Sequence, residues 1–433
     1  MKHFHALPYA LVSWAVLLLM VSVPMAAAQE IPLTASGDLA RLVTEGLENN
    51  QKLQSQRSKI AALREEIPAA GALDDPMLGV AFVNLPTDTF RFDQEPMTQK
   101  QISLAQKFPW FGKLDLKTQA AVLEAKKAEA RLSGQQLALS RNIVAAYYEL
   151  ALIVRSEKTN TQLMEKLNNL LQVSESRYAG GKGTQADLLQ IQVELSRLAE
   201  EQNDLADRRQ IMESRMNELL NRPSFAKILP ADKLPLPVVA IAPEQIKQQA
   251  LARNPDMAFN RLSVEQAQIM VKLSNKEFYP NFDVRVAYGQ REDDRMGTER
   301  ADFFSAGVNL NIPLWQTRKQ RPRLDGAIKR KQSEEHMLRD LQHSLPHKID
   351  ALLSETERLR KNYRLYTETL LFQAEQWADS AQAAYEVGKM EFDTLIKAQM
   401  QVLRLSLKAD THLFRLYQKR AELEELAGGV ISK

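Results

Sequence analysis

A mainly α-helical fold carrying a smaller membrane-type β portion is what three observations on the 433-residue sequence predict. Residues 110–222 and 347–433 hold no proline and are rich in Ala, Leu, Glu, Gln, Lys and Arg, the composition of very long helices. Four short segments drop that pattern and alternate apolar with polar residues. The whole order of elements is written twice. The composition excludes several classes. Glycine is only 16 residues, sparse for a loop-rich or all-β chain. The absence of cysteine removes disulfides, thiolate zinc sites and cysteine catalysis. A formal charge of +3 gives no bulk drive toward nucleic acid.

The first 28 residues read as an export signal. Lys2 is the only charged residue there, an apolar run spans 10–23, and Ala26-Ala27-Ala28 forms a small-residue cleavage site before Gln29. The run is shorter than the roughly 20 residues that cross a bilayer. Without a cysteine after the signal, an N-terminal lipid anchor is not expected.

The duplication is carried by motifs in one order. Asn50 and Asn254 open helices, with Arg57 and Arg261 at the same spacing. Phe108-Pro109-Trp110-Phe111-Gly112-Lys113 answers to Ile312-Pro313-Leu314-Trp315-Gln316-Thr317, and Tyr178-Ala179-Gly180-Gly181-Lys182 to Tyr385-Glu386-Val387-Gly388-Lys389. The expected organisation is therefore a signal at 1–28, a first repeat at 29–236 and a second at 237–433.

In the first repeat a helix of about 100 Å is expected over 113–178, returning through 184–221. There Ile191, Leu198, Leu205, Met212 and Leu219 form a heptad stripe. The proline-rich stretch 223–243 interrupts the return, which resumes over 244–278. The second repeat goes out over 316–384 and back over 391–427, and 38–70 supplies a further helix. Pro322 and Pro346 should kink or interrupt the second outgoing arm.

The alternating segments are 77–85, 101–108, 281–290 and 303–312. Phe282, Val284, Val286 and Tyr288 alternate with Asp283, Arg285, Ala287 and Gly289, and the others follow suit except 77–85, apolar on both faces. About ten residues with one apolar and one polar face suit a tilted transmembrane strand. A half-buried soluble sheet is the competing reading. Connecting loops at 86–98 and 291–301 make two hairpins. Four strands cannot close a barrel, and a bilayer tolerates no open sheet edge, so membrane strands would have to be pooled by several chains. The sequence leaves their number open.

This order of elements, over about 38–427, resembles the TolC family of outer-membrane efflux proteins. The stretch Asp75-Pro76-Met77-Leu78, with Asn84-Leu85-Pro86 and Gln106 through Leu114, resembles the subgroup serving cobalt–zinc–cadmium and copper exporters. The resemblance implies long coiled-coil hairpins forming a periplasmic α-barrel, and four strands per chain in a shared, trimeric, twelve-stranded barrel. It implies a homotrimer in outer-membrane lipid, with a periplasmic extension that meets an adaptor protein and an inner-membrane pump. The function it implies is passive conduction of exported solutes, heavy-metal cations foremost. A periplasmic coiled-coil adaptor or scaffold without a barrel is the alternative.

A channel breaks no bonds, so no catalytic residue, cofactor or metal site is expected. The candidate docking tips are Gly180, Gly181, Lys182, Gly183 and Thr184 in the first hairpin, and Val387, Gly388, Lys389, Met390 and Glu391 in the second. Turn chemistry alone would also account for these glycines. Asp187 and Asp393, just past the turns, are candidate gate residues. Each also suits a helix start, and repeated around an assembly they would form a negative ring. Lys397 stands where some family members carry a gate aspartate. Trp110 and Trp315, at the strand ends, suit an interfacial belt or plain packing. Gly180–Thr184 imitates a phosphate loop but lacks its upstream glycine and its Lys-Ser/Thr pair. His343 and His347 stand four apart, but Pro346 between them should disturb a metal-binding geometry, and they read as a solvated face.

Overall fold

The computed structural model describes residues 37–231, 236–237 and 242–431; the expected signal and the join between the repeats fall largely outside the described residues. Helices α1 (Gly37–Asn49), α2 (Gln51–Glu65) and α3 (Ile67–Ala70) precede strands β1 (Met77–Val83) and β2 (Gln99–Phe108). Helix α4 (Lys113–Ala179) runs for 67 residues and α5 (Gln185–Leu220) returns for 36. In the second half come α6 (Pro243–Arg253), α7 (Pro255–Lys276), β3 (Phe282–Gln290), β4 (Phe303–Leu310), α8 (Gln320–Leu365), a π-turn (Tyr366–Leu370), α9 (Leu371–Glu386) and α10 (Phe392–Ala427).

The repeated asparagine proves to be a helix break. Asn50 Oδ1 accepts the Lys52 and Leu53 N–H groups at 3.0 and 3.3 Å, and Asn254 Oδ1 those of Asp256 and Met257 at 2.9 and 3.2 Å. Each caps a helix that opens where the previous one stops. Arg57 and Arg261 then reach back across the break to the Leu47 and Leu251 carbonyls, at 3.3 and 2.6 Å. Those carbonyls lie in the last turn of the preceding helix, where acceptors lack partners. The single helices expected over 38–70 and 244–278 are thus divided at these asparagines.

The interruption expected at Pro346 is absent. Helix α8 continues through it without a break, because Leu345 and Ile349 on either side are locked into a cluster with Ile246, Met257 and Leu423. That packing tolerates one missing N–H donor. Pro322 lies in the first turn of α8, where N–H groups have no helical partner anyway. The arm starts at Gln320 instead of 316, and its irregularity is the π-turn, where Tyr366 meets His412 edge-on. The heptad stripe also changes course. Ile191, Leu198 and Leu205 are buried, but toward the end of α5 burial passes to Met216 and Leu220. A straight helix drifts about 20° per heptad, so by the end of α5 Met212 and Leu219 are only partly buried, still packed against the middle cluster.

Three apolar clusters hold the columns together. Leu163, Leu167, Ile191, Ala381 and Leu395 pack at the end distant from the strands. Leu39, Ile143, Tyr147, Leu150, Met216 and Tyr417 fill the middle. The third, around Leu345, joins α6, α7, α8 and α10.

Candidate functional site

The four strands form one antiparallel sheet in the order β1-β2-β3-β4, so the two hairpins of the two repeats are zipped together between β2 and β3. The register puts Val80, Ile102, Tyr288 and Phe304 in one row, and Leu78, Leu104, Val286 and Ala306 in the next. This face is apolar yet exposed, with Val80 at 73% and Phe304 at 74%. The opposite face carries the rows Gly79, Ser103, Ala287, Ser305 and Lys107, Asp283, Asn309. An apolar outer face backed by a polar inner one is the pattern of a membrane barrel wall. A soluble scaffold would leave that apolar face without a partner. β1 and β4 are both open edges.

At the strand-to-helix junction Asn281 Oδ1 accepts from the Trp110 N–H at 3.0 Å and from Lys113 Nζ at 2.7 Å. Burial pushes the Lys113 ammonium below its ordinary pKa. Gly112 adopts φ +78, the left-handed turn that starts α4. Trp110 is stacked on Tyr279, rings 5.3 Å apart, whereas Trp315 is exposed. The two tryptophans named together by the sequence therefore sit in different settings.

At the other end both hairpins reverse through the same turn. In the first, the Lys182 N–H donates to Arg177 O at 2.8 Å and the Gly181 N–H to Tyr178 O at 3.0 Å; in the second, Lys389 donates to Ala384 O at 2.8 Å and Gly388 to Tyr385 O at 3.0 Å. This paired pattern is a Schellman motif with glycine in the left-handed position; φ is +70 at Gly181 and +76 at Gly388. The Gly180, Gly181 and Lys182 N–H groups of the apparent phosphate loop are therefore spent on helix carbonyls. Thr184 and Asp187 then form a reciprocal capping box, each N–H meeting the other's side chain at 3.2 Å.

The two turns are brought together by a residue the sequence reading passed over. Arg177 Nη1 donates to the carbonyls of Tyr385 at 2.7 Å and Glu386 at 3.1 Å, and its Nη2 to Lys182 O at 3.4 Å. Its guanidinium lies 4.6 Å from the centre of the Tyr385 ring, and Ser174 Oγ is 3.2 Å from the Tyr385 hydroxyl. Asp393 accepts from Lys397 Nζ at 2.5 Å and from Gln190 Nε2 at 3.3 Å. The Lys397 hydrogen bond, with help from Gln190, holds the Asp393 carboxyl below its usual range. Of the three candidate gate residues, Asp393 and Lys397 thus form one ion pair, and Asp187 caps its own helix. His343 and His347 are exposed on the unbroken helix α8, so Pro346 does not separate them as expected. Among the described residues no cluster of three or more His, Cys, Asp or Glu side chains is placed to hold a metal.

A membrane sheet at one end of paired helical hairpins longer than a bilayer is thick defines an export duct of the outer membrane. The chain belongs to the outer membrane efflux protein family, whose model matches residues 42–222 and 246–429, one stretch in each half of the chain. Among curated relatives, the cobalt-zinc-cadmium resistance protein CzcC of Cupriavidus metallidurans is 22% identical over 324 residues, 73% of this chain and 74% of CzcC. The multidrug resistance outer membrane protein MdtQ of Escherichia coli is 22% identical over 307 residues, 70% of this chain and 61% of MdtQ. The outer membrane protein VceC of Vibrio cholerae shares the fold with a TM-score of 0.76 at 19% identity, covering 91% of this chain and 97% of VceC. CusC does so at 0.74 and 15%, covering 90% and 92%. The protein is an outer-membrane efflux channel of the TolC type, in a family of passive transport channels.

Proposed function

We propose that three copies of the chain close a twelve-stranded barrel and a helical tunnel beneath it, and that this duct exports heavy-metal cations or their complexes. One observation supports the assembly above others: a four-stranded sheet with a lipid-type face and two open edges. Unpaired edge groups in hydrocarbon cost several kcal/mol each, and pooling strands between copies removes them. The tip turns Gly180–Thr184 and Val387–Glu391 are read as the docking surface for a periplasmic adaptor. The adaptor would link the duct to an inner-membrane pump that supplies the energy. Asp187, Asp393 and Lys397 are read as gate residues, and no step of catalysis is assigned. The metal cargo rests on the likeness to CzcC and on the 75–114 stretch. Detergent-extracted protein should run as a heat-labile trimer, and a monomer would sink the shared barrel. In cells lacking the gene, loss of resistance to cobalt, zinc, cadmium or copper is expected; loss of drug resistance alone would remove the metal assignment.

A further inference from the structure

We propose that Arg285 is the charge filter of the barrel bore, a cationic ring that favours anionic solutes and anionic metal complexes over free cations. The inference rests on the trimeric reading above.

The polar face of the sheet is almost bare of long side chains at its middle. In register with Arg285 stand Ala105 on β2, Gly307 on β4 and, at the far edge, the uncharged Met77 on β1, and the next row is Gly79, Ser103, Ala287 and Ser305. Nothing lies within 4 Å of where a side chain at Gly307 would begin. Arg285 therefore projects over a floor of small residues. Its Nη2 donates to Ser103 Oγ at 3.1 Å, which lays the guanidinium along the wall. Among the described residues no carboxylate forms an ion pair with it. The other charged groups on this face are Lys107 and Asp283, paired across the strands one row nearer the helices. Their formal charges cancel, so each chain leaves one net positive charge at mid-wall. Threefold repetition makes a ring.

The ring is close enough to act on every solute. Twelve strands about 4.8 Å apart and tilted by roughly 40° put the wall backbone about 12 Å from the axis, and the side chains narrow the bore further. The Debye length at physiological salt is about 8 Å, so the wall charge reaches most of the cross-section, as charged rings do in other channels. The loops beyond the strands, 86–98 and 291–302, carry eight carboxylates and four arginines. That negative mouth attracts cations by itself, and the ring stands behind it with the opposite sign. A metal exported through this bore passes more readily as an anionic complex than as a bare ion.

The test is ion selectivity in planar lipid bilayers under a potassium chloride gradient, with Arg285→Gln, Arg285→Glu and Arg285→Lys against wild type. Each is measured alone and with Arg177→Ala, which loosens the tips so that the barrel contributes more of the resistance. Arg285→Gln should raise the potassium-to-chloride permeability ratio several-fold, Arg285→Glu should raise it further, and Arg285→Lys should stay near wild type. Unchanged ratios for Gln and Glu, in trimers of normal conductance, would overturn the ring while leaving the shared barrel intact. Wild-type protein that neither conducts nor forms a trimer would remove the barrel and the ring together.

Discussion

The two hairpin tips share a backbone and differ in what supports it. Both close through the same Schellman turn, with a left-handed glycine followed by lysine. In the first, Tyr178 is 47% exposed and Thr184 with Asp187 caps the return helix from within. In the second, the matching Tyr385 is 3% exposed, and Glu391 offers α10 no side-chain cap. Beyond its own turn, its Lys397–Asp393 pair and the Phe392 ring, the second tip takes side-chain hydrogen bonds from the first hairpin: Ser174 and Arg177 on Tyr385, and Gln190 on Asp393. The first tip caps its return helix from within, and the second adds to its own contacts a set of hydrogen bonds from the first. A movement that opens the duct at this end would therefore begin by separating the second hairpin from Arg177.

The largest effect should fall on the tyrosine pair. Tyr385→Ala empties a site enclosed by Ala381, Phe392 and Leu395. Removing a buried aromatic ring costs about 3–5 kcal/mol. Tyr178→Ala, on the exposed counterpart, should change stability by less than about 0.5 kcal/mol. Hydrogen exchange of the 380–400 segment would show the difference directly. Equal protection in both variants would mean that the tips are equivalent after all.

Next comes Arg177→Ala. It removes charge-assisted hydrogen bonds that contribute about 1.5–3 kcal/mol and frees the second turn from the first. Resting conductance in bilayers should rise, and Arg177→Lys should not restore closure, because a single ammonium nitrogen cannot span the Tyr385 and Glu386 carbonyls on one side and Lys182 O on the other. Conductance equal to wild type would place the resting constriction elsewhere.

Arg177 also shows what the sequence could not disclose. The matching turn glycines, capping asparagines and strand alternation were legible because they are local demands of the backbone that each half meets by itself. Arg177 has Ala384 at its matching place, so no repeat marks it. Its partners on the second hairpin are carbonyls more than 200 residues away, which any residue supplies. Pro346 failed in the other direction. Its local rule is sound, but the burial of Leu345 and Ile349 overrides it. The long helices and four strands were thus readable from pattern, whereas the contacts between hairpins needed three dimensions.

A smaller and symmetric effect is expected at the glycines. A side chain at Gly181 would meet nothing within 4 Å, and one at Gly388 would meet only Arg177 Nη2 at 3.7 Å. The cost of alanine is then the left-handed backbone alone, about 1–2 kcal/mol, and the same at both tips. Thermal unfolding of Gly181→Ala and Gly388→Ala should shift by similar amounts. A much larger shift at Gly388 would show that the Arg177 contact tightens that turn, making even this shared backbone unequal.

The smallest effect concerns charge at the second tip. Lys397, and then Gln190, depress the Asp393 pKa below its ordinary 3.8. A depressed carboxyl stabilises the folded state above that ordinary value, and the contribution fades as pH falls through the lower folded one. Lys397→Met should therefore lower stability slightly at neutral pH, with the gap to wild type closing below pH 3.8. A gap that persists in acid would mean that the lysine acts through its hydrocarbon stem and not its charge. The pair also bears on the gate. With Asp393 neutralised by its own neighbour, a negative ring at the tips would have to be built from Asp187, which belongs to the first hairpin. Removing Lys397 would uncover a second carboxylate in the second hairpin, so the same substitution should raise cation preference wherever the tips limit the current.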